Sequence, residues 1–139
     1  MRTATPAVQE FFERYARGRS ERDIDLIASQ YPDSFMMAGP NGPRVAEKAA
    51  IVAAFPKGQE FLKAIGHQST EVLSLDESRL DEHYLMVRAA FRWRFAKAAL
   101  IDVKVDSTFI LYVDQGAFTI VFQQEHEDFQ QALRAAGVV

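Results

Sequence analysis

The feature that most constrains the fold is the stretch from Arg92 to Asp106, RWRFAKAALIDVKVD, in which charged and apolar residues alternate on both sides of a short turn. Alternation with a period of two is typical of a β-strand with one buried face, and two such runs around a turn predict a hairpin. We expect Arg94 to pair with Asp102, because a shift by one residue would turn every apolar side chain toward the polar face.

In this register the hairpin has one polar face and one apolar face. A large aromatic side chain contributes roughly 2–3 kcal/mol when fully buried, so the apolar face should pack against helices. The polar pairs are Arg92–Lys104 and Arg88–Thr108, and the apolar pairs are Trp93–Val103, Phe91–Val105 and Val87–Phe109.

Helix signals dominate the first half of the chain. One helix is predicted after Thr5-Pro6 and ends at Gly18, and a second ends before Pro32. A short strand pair then turns at positions 40–43, PNGP, and a third helix is interrupted near Pro56. These pieces precede the hairpin without an intervening linker.

Strands dominate the second half, at about positions 67–75, 82–95, 101–113 and 117–124. The final segment EDFQQALRAAG returns to helix, packs through Phe129 and Leu133, and ends near Gly137. The sequence therefore predicts an α+β domain spanning positions 1–139.

Composition excludes several classes of protein. The chain of 139 residues has no cysteine, which removes thiol nucleophiles, disulfide frameworks and cysteine zinc sites. Its 16 basic and 19 acidic residues give a net charge of −3 and no broad cationic surface for nucleic acid. Neither a signal peptide nor a membrane span is evident, so we expect a cytoplasmic protein that contacts no membrane.

The order of elements resembles that of the nuclear transport factor 2-like superfamily, which includes ketosteroid isomerases and SnoaL-like polyketide cyclases. The segment VQEFFERYARGRSERDIDLIASQY, with Tyr15 and Tyr31, is similar to the opening helices of the ketosteroid isomerases. The resemblance implies a cone-shaped, strongly curved, mostly antiparallel sheet packed against three N-terminal helices, with a C-terminal helix. It also implies a pocket inside the cone and a homodimer.

The resemblance weakens where catalysis would occur. The position of the proton-abstracting base is Gly39 here, and a further pocket tyrosine falls on Pro56. The acid that holds the enolate oxygen would align with Asp106, but strand alternation places Asp106 on the polar face unless a β-bulge turns it inward. We therefore expect no ketosteroid isomerase activity.

Candidate site residues follow from the apolar stripes and from the resemblance. Tyr15, Asp106 and His83 are candidate catalytic groups, although a tyrosine on such a stripe is often core and a strand-end histidine is often at the surface. No histidine pair has the spacing of a metal site, and no cofactor is expected. The candidate ligand-binding residues, which would equally serve as core, are Tyr31, Phe35, Met37, Phe55, Phe91, Trp93 and Phe122.

Two functions remain open at this point. The first is binding of a small apolar molecule in the cone, with acid–base chemistry of a lyase, isomerase or cyclase. The second is a non-catalytic dimeric interaction module with a filled core. Ionisable groups that converge in the cone would favour the enzyme. A homodimer is expected because Met86, Ile110 and Tyr112 leave the polar sheet face partly apolar.

Overall fold

The structure, a computed structural model, describes residues 2–139. Three helices and three short strands make up the first half of the described residues, and four long strands and a short helix make up the second half. In chain order they are β1 (Arg2–Thr3), α1 (Pro6–Glu21), α2 (Ile24–Ser29), β2 (Ser34–Gly39), β3 (Gly42–Glu47), α3 (Lys48–Ala64), β4 (His67–Arg79), β5 (Tyr84–Ala96), β6 (Leu100–Asp114), β7 (Ala117–Glu125) and α4 (Phe129–Ala135).

The strands of residues 2–139 form one seven-stranded sheet in the order β1-β4-β5-β6-β7-β2-β3. Neighbouring strands are antiparallel except β2 and β7, which run parallel with Met36 opposite Phe122. Register shifts interrupt β4 between Val72 and Ser74, and the β6–β7 pairing next to Ile110. Such bulges bend a sheet. The predicted α+β class, with a curved and mostly antiparallel sheet, is confirmed.

The register of the β5–β6 hairpin is the predicted one throughout. Arg94 lies opposite Asp102, and Phe91 lies opposite Val105. The Arg94 guanidinium also bridges the Asp102 carboxylate, with Nε 2.8 Å from Oδ1 and Nη2 3.0 Å from Oδ2. The alternation of charged and apolar residues was therefore sufficient to predict this pairing.

The first helix runs past Gly18, where the sequence predicted its end. It continues to Glu21 and stops where Arg22 adopts a left-handed backbone with φ of 55°. A Cβ atom on Gly18 would lie 3.0 Å from Cγ1 of Ile27, so glycine permits α2 to pack closely against α1. Gly18 serves helix packing here and does not terminate the helix.

The predicted interruption of the third helix at Pro56 is also wrong. Helix α3 is continuous from Lys48 to Ala64. Proline at this point removes the hydrogen bond to the carbonyl of Val52. Because Val52 and Pro56 are both exposed, water can satisfy that carbonyl. Phe55, the residue before Pro56, packs against the core.

The main core lies between α1 and the concave face of the sheet. Phe12 is fully buried and its ring centre lies 4.9 Å from that of Phe109. A second cluster forms under α4, where Leu133 is fully buried and Phe129 packs at its edge, as the sequence predicted. None of the helices in residues 2–139 combines the length and apolarity needed to cross a membrane.

Candidate functional site

A partly enclosed cavity of about 170 Å³ separates α1 from the concave face of the sheet, near α4. A cavity of about 150 Å³ holds benzene, so the space suits a molecule with one ring. Residues of α1, β5, β6, β7 and α4 line it: Tyr15, Arg19, Phe91, Trp93, Val105, Ser107, Gln123, Glu125 and Phe129.

One wall of the cavity is aromatic. The Tyr15 and Phe91 rings stack with their centres 5.1 Å apart and their planes inclined by 24°. Trp93 and Phe129 meet at 4.9 Å. Phe91 and Trp93 lie on the same face of β5, because side chains alternate along a strand. Tyr15 from α1 and Phe129 from α4 pack against them.

The cavity also borders a hydrogen-bond network centred on Gln123, which is 5% exposed. Arg19 Nη2 donates to the Tyr31 hydroxyl at 3.0 Å, and that hydroxyl donates to Gln123 Oε1 at 2.5 Å. Gln123 Nε2 in turn donates to the Tyr15 hydroxyl at 3.1 Å. We call Tyr15, Arg19, Tyr31 and Gln123 the polar wall.

The network ends at the carboxylate of Glu125. Gln123 Nε2 donates to Glu125 Oε1 at 2.7 Å, and Ser107 Oγ donates to Oε2 at 2.6 Å. Since an amide NH2 group faces the carboxylate, the orientation of the Gln123 side chain is determined. Glu125 thus joins the two tyrosines and Arg19 in one hydrogen-bonded group around the cavity.

The electrostatics of the polar wall keep the tyrosines neutral and the arginine charged. Burial raises the pKa of Tyr15 well above its usual value, and the positive charge of Arg19 offsets this only in part. Burial likewise raises the pKa of Tyr31, again against the effect of Arg19. Burial alone would lower the pKa of Arg19, but its interactions with both tyrosines raise it overall.

Three of the predicted site residues, Tyr15, Phe91 and Trp93, line the cavity. Tyr31 reaches it indirectly, through Arg19 and Gln123. The remaining aromatic and methionine candidates lie outside its lining. Phe35 is buried behind Tyr31 with ring centres 4.5 Å apart, and Met37 and Phe55 pack against the main core.

Three other candidates lie away from the cavity. Asp106 pairs with Ala90 on the face of the sheet turned away from α1, with Lys104 Nζ 4.0 Å from its carboxylate. The hairpin has no bulge there to turn it inward. His83 precedes β5 with an exposed side chain, 3.6 Å from Glu82. Phe122 lies opposite Ile110 on the same outer face as Asp106.

Four further residues that line the cavity were not predicted from the sequence: Arg19, Ser107, Gln123 and Glu125. A charged residue on a helix is usually solvated, which concealed Arg19. The two residues of β7 were concealed by a bulge. Leu111 pairs with Ile120 but Ile110 pairs with Phe122, so Val121 is extra and Gln123 and Glu125 turn inward. The signal available was the spacing of Arg19, which follows Tyr15 by one helical turn.

A wider groove of about 480 Å³ adjoins the cavity and shares Glu125 and Phe129 with it. The turn between β2 and β3 forms its far side, so the groove offers an approach to Glu125 from solvent. Within residues 2–139 no group of three or more histidine, aspartate or glutamate side chains is arranged to hold a metal ion.

Comparison with known families gives one match over nearly the whole chain. A family model described as NTF2-like protein (DUF6841) matches residues 4–138. None of the curated proteins is similar enough in sequence to match.

Solved structures share the fold at low sequence identity. An NTF2-like protein with a cystatin-like fold from Novosphingobium aromaticivorans has a TM-score of 0.72 and 14% identity, covering 94% of this chain and 86% of that one. A ketosteroid isomerase-like protein from Erwinia carotovora atroseptica has a TM-score of 0.60 and 13% identity, covering 86% and 89%. A protein from Catenulispora acidiphila in complex with S-DNPA has a TM-score of 0.68 and 13% identity, covering 90% and 93%. At these identities the likeness shows the fold alone.

Proposed function

For this chain, which belongs to the family described as NTF2-like protein (DUF6841), we propose the binding of a small molecule with one ring in the cavity between α1 and the sheet. The observation that carries the proposal is the composition of the cavity, which is lined by aromatic rings and by a connected polar network. Ligand sites combine apolar surface with a few placed polar groups in this way.

The hydroxyl of Tyr15 supports this function. It accepts a hydrogen bond from Gln123, and its own proton can go either to the neighbouring Tyr31 hydroxyl or to a molecule in the cavity. Because Tyr15 borders the cavity, this proton is available to an oxygen of a bound molecule.

The cavity volume limits the ligand. About 170 Å³ accommodates one ring but is well below the roughly 300–1,000 Å³ of sites for drug-sized molecules. A four-ring steroid therefore exceeds the space. Together with Gly39 in place of the expected base, this supports the absence of ketosteroid isomerase activity.

Proton transfer is the second candidate function, and it rests on Glu125. Its carboxylate borders the cavity and is linked through Gln123 to the Tyr15 hydroxyl. A carboxylate that accepts a proton and a phenol that donates one to a developing oxyanion are the groups an isomerase or lyase requires. In this arrangement Glu125 takes the part of the proton-abstracting base, whose expected position is Gly39 in this chain.

A titration monitored by tryptophan fluorescence tests binding, because Trp93 is the single tryptophan of the chain and borders the cavity. We expect single-ring compounds to change its emission and to raise the melting temperature. The variant Val105→Phe should abolish both effects by filling the cavity, whereas Lys104→Phe adds the same ring on the outer face and should preserve them. A wild-type protein that responds to no single-ring compound would contradict the proposal.

We further propose that the outer face of the sheet, turned away from α1, binds a second copy of the chain. One apolar residue from each of β5, β6, β7 and β2 forms a row across that face. The row continues onto β3 with Val45, which is 63% exposed. Opposite charges, such as Arg88 beside Asp76 and Lys104 near Asp106, lie beside the row. A face that carries both signs can pair with itself. The row consists of Met86, Ile110, Phe122 and Met36.

A further inference from the structure

We propose that the molecule bound in the cavity is a single-ring monocarboxylic acid whose carboxylate is held by Arg19 and by the hydroxyl of Tyr15. The proposal rests on the proposed function, namely that the cavity binds a small molecule. It adds the charge of the ligand and the residues that recognise it.

Arg19 makes no direct ion pair among residues 2–139, and the charge of Glu125 acts on it only from a greater distance. Arg19 is half-buried and borders the cavity, and among residues 2–139 no carboxylate oxygen lies within 4.0 Å of its guanidinium. Two of its hydrogen bonds go to neutral acceptors, the backbone oxygen of Tyr15 at 3.2 Å and the hydroxyl of Tyr31 at 3.0 Å. A guanidinium has five N–H groups, so donors remain for a ligand. Charges that are removed from water are usually paired.

The guanidinium is already fixed in position. Its central carbon lies 3.3 Å from the centre of the Tyr15 ring, so the ring supports it from one side. The two hydrogen bonds from Nη1 and Nη2 then fix its rotation. An arginine held in this way binds a carboxylate with little further loss of side-chain entropy.

Tyr15 adds a second donor beside the first. Its raised pKa means that the hydroxyl keeps its proton, which can turn from the neighbouring Tyr31 hydroxyl toward a carboxylate in the cavity. A neutral phenol and a guanidinium that border one cavity both stabilise a negatively charged oxygen.

Glu125 limits the ligand to one negative charge. Its two oxygens already accept hydrogen bonds from Gln123 and Ser107, and it makes no ion pair with Arg19. It therefore leaves Arg19 available, but its own charge would repel a second carboxylate placed in the same small cavity. A hydroxyl on the ring would be tolerated there, since a carboxylate can accept more than two hydrogen bonds.

Binding of benzoate, methyl benzoate, benzyl alcohol and phthalate at neutral pH tests the assignment, with Trp93 emission and calorimetry as readouts. These probes share one ring and differ in charge. We expect benzoate to bind about tenfold or more tightly than methyl benzoate or benzyl alcohol, and phthalate to bind more weakly than benzoate. Arg19→Gln should remove the preference for benzoate, whereas Arg17→Gln, the same change on the exposed side of α1, should preserve it.

The outcomes separate the two proposals. If none of the four probes binds, small-molecule binding itself is overturned. If methyl benzoate or benzyl alcohol binds as tightly as benzoate, or if Arg19→Gln keeps the preference, the carboxylate assignment is overturned while small-molecule binding stands. Should Arg19→Gln fail to fold, the comparison of benzoate with methyl benzoate on the wild-type protein decides.

Discussion

The guanidinium carbon of Arg19 lies 3.3 Å from the centre of the Tyr15 ring, one turn earlier on α1. The spacing of four residues places both side chains on one helical face. Tyr15 turns toward the core, so Arg19 is drawn to the edge of the cavity instead of extending into solvent. A cation held on an aromatic ring at a cavity wall is the feature from which the ligand assignment follows.

The substitution Tyr15→Phe should separate binding from stability. Gln123 Nε2 loses one acceptor but still donates to Glu125, so the loss of unfolding free energy should be only about 0.5–1.5 kcal/mol. Benzoate binding should weaken about fivefold or more, because the hydroxyl donor is gone. Urea denaturation and calorimetry measure the two effects.

Tyr84→Phe is the matched control, because Tyr84 lies on the outer face of the sheet opposite Tyr112. It should change neither the free energy of unfolding nor the affinity for benzoate appreciably. Unchanged benzoate affinity in Tyr15→Phe would show that this hydroxyl does not face the ligand.

The substitution Gln123→Met should be more costly than Tyr15→Phe. It preserves the approximate shape of the side chain but removes the acceptor of Tyr31 and a donor to Glu125. Leaving buried polar groups without partners costs about 2–3 kcal/mol of unfolding free energy. The same change at Gln124, which faces outward beside Thr108, should cost much less in urea denaturation. Equal losses at both positions would mean that the polar wall contributes little to stability.

The sequence predicted the element order and the β5–β6 register because both depend on local periodicity. The NTF2-like resemblance is confirmed by the family match over residues 4–138. From Phe91–Val105 to Arg94–Asp102, apolar and charged pairs alternate, and a shift by one residue would turn the apolar side chains outward. Helix ends were less predictable. Gly18 allows α2 to pack closely against α1, and local sequence patterns do not reveal such a contact between helices.

The site was only partly predictable, and the bulge at Val121 is the main reason. Phe122 was expected to belong to an aromatic ligand wall, and simple alternation from Ile120 would turn it inward. The extra residue reverses the pattern, which places Phe122 outside and Gln123 inside. The extra residue Val121 thus places polar side chains where an aromatic one was expected, and strand periodicity alone does not predict such a bulge.

Stability should decrease when the pH falls from 7 to 5.5, because of His67. Burial and the nearby charge of Arg22 lower the pKa of His67 in the folded protein. The unfolded chain, with a histidine pKa of about 6.5, therefore binds a proton more readily than the folded chain. The contribution of neutral His67 to stability is fully present above this pH and is lost as the pH falls toward the lower pKa of the folded protein.

The pH effect has a structural basis that can be removed. His67 Nε2 lies 3.0 Å from Thr70 Oγ1, and its Nδ1 is buried without a partner among residues 2–139. The variant His67→Gln cannot titrate in this range, so its urea midpoint should vary less between pH 5.5 and 7 than that of the wild type. A wild-type midpoint that stays constant over this range would refute the assignment.

The substitution Phe122→Lys should convert a dimer to a monomer. Phe122 lies in the middle of the apolar row on the outer face, between Ile110 and Met36. A lysine there would place one charge from each copy near a two-fold interface and bring like charges into low-dielectric surroundings. Sedimentation should give twice the chain mass for the wild type and 15.7 kDa for the variant. Val52→Lys, an equivalent change on the exposed surface of α3, should leave the dimer intact. A wild-type protein that sediments at 15.7 kDa at micromolar concentration would rule out this interface, and the apolar row would then require another partner.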